Sequence, residues 1–413
     1  VVSDSGAWLE IRMPGGRSAW LRREDVMLQP DYPHPDASGI QSTLALISRF
    51  TGVPYLWGGR TPFGYDCSGL AQAFYAFLGV CLVAWALVYH WLKPAADFIT
   101  SKKFLESLDP DRLRLYPDPS ATRVREKIGE RYGLHKEQVF VSNGSDEALS
   151  FCFYAFFDSL NGKLLFPEVT YSFYPVYCDY YGIAYEKIPL AGDLTISVEE
   201  FVQRKESCGV VFANPNAPTG TYLPLKDIRY LLENYPQEKL VLLDEAYIDF
   251  GGESAVSFLR DHQNLLLVRT FSKSMSLAGV RLGFVLAGKE LIDALATVKD
   301  SFNSYPVSTL TQRIGEIALS DESYYRSINS KIVSVRESFS SALGKLGWTV
   351  LPSKANFVFA RKERVPGKEI YLKLKERGIL VRHFDGVKVR DFVRITIGTQ
   401  EDMTRLLGEM RSL

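Results

Sequence analysis

The chain carries no surplus of charge of either sign: 48 Lys and Arg residues balance 48 Asp and Glu over 413 residues. Without a net field there is no electrostatic reason to gather nucleic acid or anionic lipid, so no nucleic-acid partner is expected. Cysteine is scarce. The five residues (Cys67, Cys81, Cys152, Cys178, Cys208) are odd in number and show no CxxC spacing. That argues against a disulfide framework or a zinc site, and for a reducing, cytoplasmic setting. Histidine is equally sparse, at five residues, so a reaction that needs an imidazole base has few places to find one. No metal site is expected, and internal repeats, low-complexity tracts and a signal-peptide pattern are missing as well.

What is present is ordinary globular material, 46% hydrophobic and 23% charged, in a length that calls for two or three domains. The 22 Tyr and 25 Phe residues suit large cores and pockets for flat ligands. One stretch stands apart: Phe74 to Leu92 is nineteen residues without a charged side chain. Its length meets the requirement for a membrane span, so membrane contact through 74–92 is one reading. Against it, the run begins as the continuation of an amphipathic helix and has Tyr89 and His90 near its end.

Residues 1–30 read as a small β module of alternating strands around Pro14-Gly15-Gly16, and the three prolines of 29–39 mark a linker. A helix is predicted over about 40–50. From about residue 104 helical patterns alternate with the apolar runs "QVFVSN", "KLLFP", "CGVVFAN", "KLVLLDEA", "NLLLVRTFS" and "RLGFVLAG". Strands separated by helix-length segments imply an α/β domain over 104–304 with a mainly parallel sheet covered on both faces. Beyond 305 come long amphipathic helices and the strands "ANFVFA", "ILVRHF" and "FVRITIG", a smaller α+β C-terminal domain over 305–413.

Four clusters follow strands, where open α/β sheets bind ligands. In "SNGSDEAL", Gly144, Ser145 and Asp146 would open a helix and offer free N–H groups to a phosphate; a simple capping box at Ser145 is the plainer alternative. In "NPNAPTG", Asn214 or Asn216 could bond a ligand hydroxyl. In "VLLDEAYIDF", Asp244 ends an apolar strand, where a carboxylate needs a cation: a protonated pyridine nitrogen, or an arginine at the sheet rim. Tyr247 could reach an adjacent phenolic oxygen. In "RTFSKSMSLAGVRLGF", Lys273 can condense with an aldehyde, while Ser272 and Arg281 can hold a phosphate dianion.

In this order the motifs, with "LYPDPSATRVREKIGERYG" and "VRITIGT", resemble the fold-type-I pyridoxal-phosphate aminotransferases, and within them the branch acting on histidinol phosphate. The resemblance spans about 104–413. It implies transfer of the amino group of L-histidinol phosphate to 2-oxoglutarate, giving glutamate, in histidine biosynthesis, with pyridoxal 5′-phosphate as cofactor. It further implies that Lys273 binds the cofactor covalently and shuttles a proton. Asp244 would keep the ring nitrogen protonated, and Tyr247 and Asn216 or Asn214 would contact the ring oxygen. Tyr171 would stack on the ring, and Ser272, Arg281, Ser145, Gly144 and Asp146 would hold the phosphate. Tyr116 would reach the phosphate from a second subunit of a homodimer. Arg394, Arg382 and Asn356 would bind the substrate's acidic end. An aminotransferase or decarboxylase of a related amino acid would use the same cofactor residues. The N-terminal arm such enzymes carry, with an Asn-Glu-Asn-Pro type motif, has no counterpart here.

A different family shows upstream. "GVPYLWGGRTPFGYDCSGLAQAFYAFLGV" resembles the NlpC/P60 cell-wall peptidases, with Cys67 at the nucleophile position near a helix start, and residues 1–30 resemble the SH3-like modules that accompany them. The resemblance stops at about 80, before any base-bearing strand, so no peptidase activity is expected of this partial fragment. Segment 81–103 then reads as a junction between two unrelated sequences.

Overall fold

The computed structural model describes residues 113–413 and, before them, the backbone of five short strands: β1 (Ser3–Asp4), β2 (Trp8–Arg12), β3 (Ser18–Arg22), β4 (Arg60–Thr61) and β5 (Gly64–Tyr65). Cys67, the linker, the helix expected at 40–50, the apolar run 74–92 and the junction 81–103 lie outside the described residues. The chain divides into two compact units, 1–91 and 92–413. In the first, β1, β2 and β3 form an antiparallel sheet, with Trp8 opposite Arg22 and Arg12 opposite Ser18. The segment joining β2 to β3 is the one that contains Pro14-Gly15-Gly16. An SH3-like closure is not among the described strands.

The second unit is built on a seven-stranded sheet. Its strands are β6 (Val139–Ser142), β7 (Leu164–Pro167), β8 (Tyr185–Ile188), β9 (Gly209–Ala213), β10 (Leu240–Asp244), β11 (Leu265–Thr270) and β12 (Gly283–Ala287). Their order is β6-β12-β11-β10-β9-β7-β8. The pairings from β11 across to β8 are parallel, while β12 runs antiparallel to both its neighbours. The sheet is thus mainly parallel, with one reversed strand. β9, β11 and β12 are buried at every position, as strands covered on both faces must be.

Period-two alternation sorts those apolar residues between two cores. Val210, Phe212, Val241, Leu243, Leu265 and Leu267 face one way, against Val124 and Ile128 of α1 (Thr122–Tyr132) and Ile228 and Leu231 of α5 (Leu225–Asn234). Val211, Leu242, Leu266 and Val268 face the other way, against α2 (Ser145–Phe156), α3 (Phe173–Tyr181) and α6 (Lys289–Phe302). The short α4 (Val198–Val202) lies between β8 and β9 in the chain.

After α7 (Thr309–Leu319) and the 24-residue α8 (Glu322–Lys345), a four-stranded antiparallel sheet forms, ordered β13 (Trp348–Val350), β14 (Phe357–Lys362), β16 (Val393–Thr396), β15 (Arg382–His383). α8, α9 (Gly367–Glu376) and α10 (Gln400–Met410) cover it through Leu343, Ile370, Leu374 and Met410. The strand expected over "ILVRHF" shrinks to Arg382–His383, because it is an edge strand held only by its pairing to β16. Among the described residues, no helix is long and apolar enough to cross a membrane.

Candidate active site

The sheet brings its chemistry together at one edge. Asp244 ends β10, Asn214 follows β9, Lys273 follows β11, and Gly144 follows β6. Because β12 runs backwards, its beginning lies at this edge, which is how Arg281 joins the same group.

Gly144 caps α2 at φ 89° with no side-chain cap, and Ser145 is the first helical residue, so the capping box considered at Ser145 does not form. The first N–H groups of the helix have no partner within it. Asp146 turns its carboxylate toward two predicted site residues: Tyr171 Oη donates to Oδ1 at 2.8 Å, and Arg281 Nη2 donates to Oδ2 at 3.3 Å. The close approach depends on missing side chains. A Cβ on Gly144 would lie 2.6 Å from Arg281 Nη2, and one on Gly283 would lie 2.3 Å from the Ser145 nitrogen. Ser272 completes the rim; its hydroxyl accepts from Thr270 Oγ1 at 3.0 Å.

Asp244 is buried, 6% exposed. Tyr174 Oη donates to its Oδ2 at 3.1 Å and the Ala246 N–H to its Oδ1 at 3.1 Å. Burial pushes the carboxyl up to about 6; those two hydrogen bonds and the nearby Lys273 favour the charged form but do not offset the loss of water. The rim arginine considered for Asp244 does exist, but it serves the next residue: Arg269 pairs with Glu245. Asp244 thus forms no salt bridge among the described residues.

Lys273 Nζ lies 5.4 Å from the centre of the Tyr247 ring. Tyr247 in turn meets Phe357 edge to face at 5.1 Å, and Phe357 follows Asn356 in the chain. The Arg394 guanidinium lies 5.0 Å from the centre of the Phe357 ring, and its Nε is buried without a partner among the described residues. Arg382 stands directly across the sheet from it. Like charges opposite each other repel, and no carboxylate among the described residues pairs with either arginine. Burial lowers the pKa of Arg394 and Arg382 adds to the effect, while Tyr247 opposes it. Two neighbouring guanidiniums without a counter-charge among the described residues could receive an anion.

The two candidate asparagines differ. The Asn214 amide donates to the Leu223 carbonyl at 3.0 Å and accepts from the Leu223 N–H at 2.8 Å, so both its ends serve the backbone. Asn216 donates to the Val169 carbonyl at 2.9 Å, and its Oδ1 is buried with no partner. Tyr116 meets none of the other predicted site residues within the described part of the chain: it is 81% exposed and stacks on Tyr305 with ring centres 4.7 Å apart.

Reading the sequence missed Tyr174 and the polar group of Glu245, Asp249, Arg269 and Ser274. A signal for each was present. Tyr174 is three residues beyond Tyr171, in the first turn of α3, and Arg269 interrupts the apolar run "LLLV", where a charge demands a buried partner.

The aminotransferase class I and II family matches residues 88–410. The chain belongs to that family. Histidinol-phosphate aminotransferase of Syntrophus aciditrophicus is 57% identical over 311 residues, covering 75% of this chain and 86% of the relative. Histidinol-phosphate aminotransferase 1 of Bradyrhizobium diazoefficiens is 48% identical over 73% of this chain and 85% of its own length. Among solved structures, histidinol-phosphate aminotransferase from Sinorhizobium meliloti in complex with pyridoxal-5′-phosphate aligns with TM-score 0.66 at 21% identity, covering 73% of this chain and 83% of that one. This aminotransferase also matches the NlpC/P60 family over residues 52–101. The two matches share residues 88–101, inside the segment read from the sequence as a junction.

The residues present fit a flat, anionic pyridine cofactor. An unpaired buried acid awaits a ring cation, a glycine-lined cradle would be filled by a Cβ, and an orphaned amide oxygen faces no protein donor.

Proposed function

We propose that the protein is a histidinol-phosphate aminotransferase that moves the amino group of L-histidinol phosphate to 2-oxoglutarate, a cytoplasmic step of histidine biosynthesis that uses pyridoxal 5′-phosphate. The observation that carries this reading is Asp244: a buried carboxylate raised to about 6, without a salt-bridge partner among the described residues, at the strand end near Lys273. Such a group is destabilising unless a cation completes it.

When bound, pyridoxal phosphate supplies an electron sink for charge developing at the substrate Cα. The chain's own groups do the rest. Asp244, held by Tyr174, keeps the ring nitrogen protonated. Lys273 Nζ is the amine that would hold the cofactor and the base that would take the proton from the substrate Cα. Tyr247 and Asn216, whose Oδ1 can accept from a ring hydroxyl, would hold the ring's oxygen side, Tyr171 would contact the ring, and Ser272, Arg281 and the α2 N–H groups would hold the phosphate. Arg394, with Arg382 opposite and Asn356 beside Phe357, takes the substrate's anionic end.

Tyr116 enters this scheme from a second copy. It lies in a groove of 620 Å³ shared with Leu113, Leu115, Tyr305 and Leu310. Those four are themselves exposed large hydrophobics, the composition of a surface that another subunit covers. The test is glutamate formation from 2-oxoglutarate with L-histidinol phosphate as donor, against phenylalanine and phosphothreonine. Preference for histidinol phosphate supports the reading, and an equal or greater rate with either other donor sinks it.

A further inference from the structure

Beneath the site lies a second polar group. Arg269, in the buried strand β11, is 3% exposed. Its Nη1 donates to Glu245 Oε2 at 3.3 Å and its Nη2 to Asp249 Oδ1 at 2.5 Å. Asp249 Oδ2 accepts from Ser274 Oγ at 2.5 Å. Glu245 is tied further by the Ser254 hydroxyl at 2.6 Å and the Ala255 N–H at 2.8 Å. The guanidinium also lies 4.9 Å from the centre of the Tyr132 ring on α1.

Where these residues stand in the chain gives the group its meaning. Glu245 directly follows Asp244, and Ser274 directly follows Lys273. Tyr247 sits midway between Glu245 and Asp249. Asp244 turns toward Tyr174 while its neighbour turns toward Arg269, so alternate residues of one turn serve the site and the support under it. We propose that Arg269, Glu245, Asp249 and Ser274 form a buried clamp that fixes the turn bearing Asp244 and Tyr247 against the turn bearing Lys273. They are positioning residues: they set where Lys273 Nζ stands relative to the Asp244 carboxylate, and do not themselves meet substrate.

The charge balance agrees. Arg269 is held well above its ordinary pKa: burial disfavours its charge, and Asp249 foremost, with Tyr132 and Glu245, more than offsets that. Burial would raise Asp249, yet Arg269 and the Ser274 hydroxyl bring it below its usual value. The arm is therefore a charged Arg269–Asp249 pair that accepts from the Ser274 hydroxyl, on the residue next to Lys273.

The inference rests on the roles assigned above to Lys273 and Asp244, and its test separates the two. Holoenzyme reconstituted with pyridoxal phosphate is compared as wild type, Ser274→Ala and Asp249→Asn. Three quantities are read: kcat and KM for histidinol phosphate, the pH midpoint of the visible band of the Lys273-bound cofactor, and the melting temperature. Ser274→Ala removes one hydroxyl and leaves both ion pairs, so it keeps the fold even where Asp249→Asn does not. The expected result is a kcat lowered about tenfold in Ser274→Ala and about a hundredfold in Asp249→Asn, the order that a misplacement of about 1 Å produces. The pH midpoint moves in both variants and KM stays within about twofold. An unchanged kcat and midpoint in Ser274→Ala overturns the clamp, whatever the melting temperatures do. Wild type that shows the band but does not turn over histidinol phosphate overturns the proposed function instead, and the pH midpoints then decide the clamp alone.

Discussion

Replacing Asp244 by Asn is expected to stabilise the protein without cofactor and to cripple it with cofactor. The carboxyl is raised from its usual 3.8 to about 6, first by burial, against the opposing hydrogen bonds from Ala246 and Tyr174 and the field of Lys273. At 1.36 kcal/mol per pH unit, the charged form in the folded apoprotein costs ~3 kcal/mol. The direction follows from linkage. Between 3.8 and about 6 the folded state binds more protons than the unfolded state, so this group's contribution falls as pH rises through that window. Below the window both states are protonated and nothing is gained by the substitution. Roughly half of the effect has developed by pH 5, and essentially all of it by pH 7 to 8. Asn keeps the shape, can still accept from the Ala246 N–H, and can offer its amide to the Tyr174 oxygen.

Urea unfolding of the two apoproteins at pH 5 and pH 8 measures this. The variant's advantage is expected to grow by about 1–2 kcal/mol between those pH values. With pyridoxal phosphate bound the sign reverses: kcat/KM falls by at least about a hundredfold, roughly 3 kcal/mol in the transition state. Asp244→Asn apoprotein that is less stable than wild type at pH 8, or an advantage that shrinks as pH rises, would refute the reasoning. The carboxylate would then have a partner that makes its charge favourable.

Further consequences follow from neighbouring residues. Gly144→Ala places a Cβ 2.6 Å from Arg281 Nη2 at φ +89°; a loss of about 1–3 kcal/mol and weaker cofactor binding are expected in unfolding and titration experiments. Tyr174→Phe removes a hydrogen bond to charged Asp244, so the acid limb of the kcat–pH profile should move upward, with kcat down about tenfold. Arg394→Lys keeps the charge but loses the planar fork beside Arg382; KM for histidinol phosphate should rise about ten- to a hundredfold while kcat changes little.

The fold was legible in the sequence where one physical requirement dominated. The runs "GVVFA", "LVLLD" and "LLLVRT" could only be doubly covered strands, and they became the centre of the sheet. The strand "YEKI" was not legible, because edge position leaves it polar and half exposed. The reversal of β12 could not be read either, since antiparallel and parallel buried strands have the same composition. In the site, Asp244 stood out as a charge closing an apolar strand, whereas Lys273, three residues past the end of β11, stood out only through the chain order of the four clusters. Their supports did not. Tyr174 looks like one aromatic among many until its hydroxyl is seen on Asp244. The choice between Asn214 and Asn216 turns on which amide the Leu223 backbone engages, a fact of tertiary structure alone.

The most direct test of the central claim is the absorption spectrum of the full-length protein with pyridoxal phosphate, before and after L-histidinol phosphate is added. A visible band that is absent in Lys273→Ala, and that the substrate discharges and 2-oxoglutarate restores, is the expected result. A band that forms on Lys273 and ignores histidinol phosphate would contradict the claim, showing a cofactor site without this substrate.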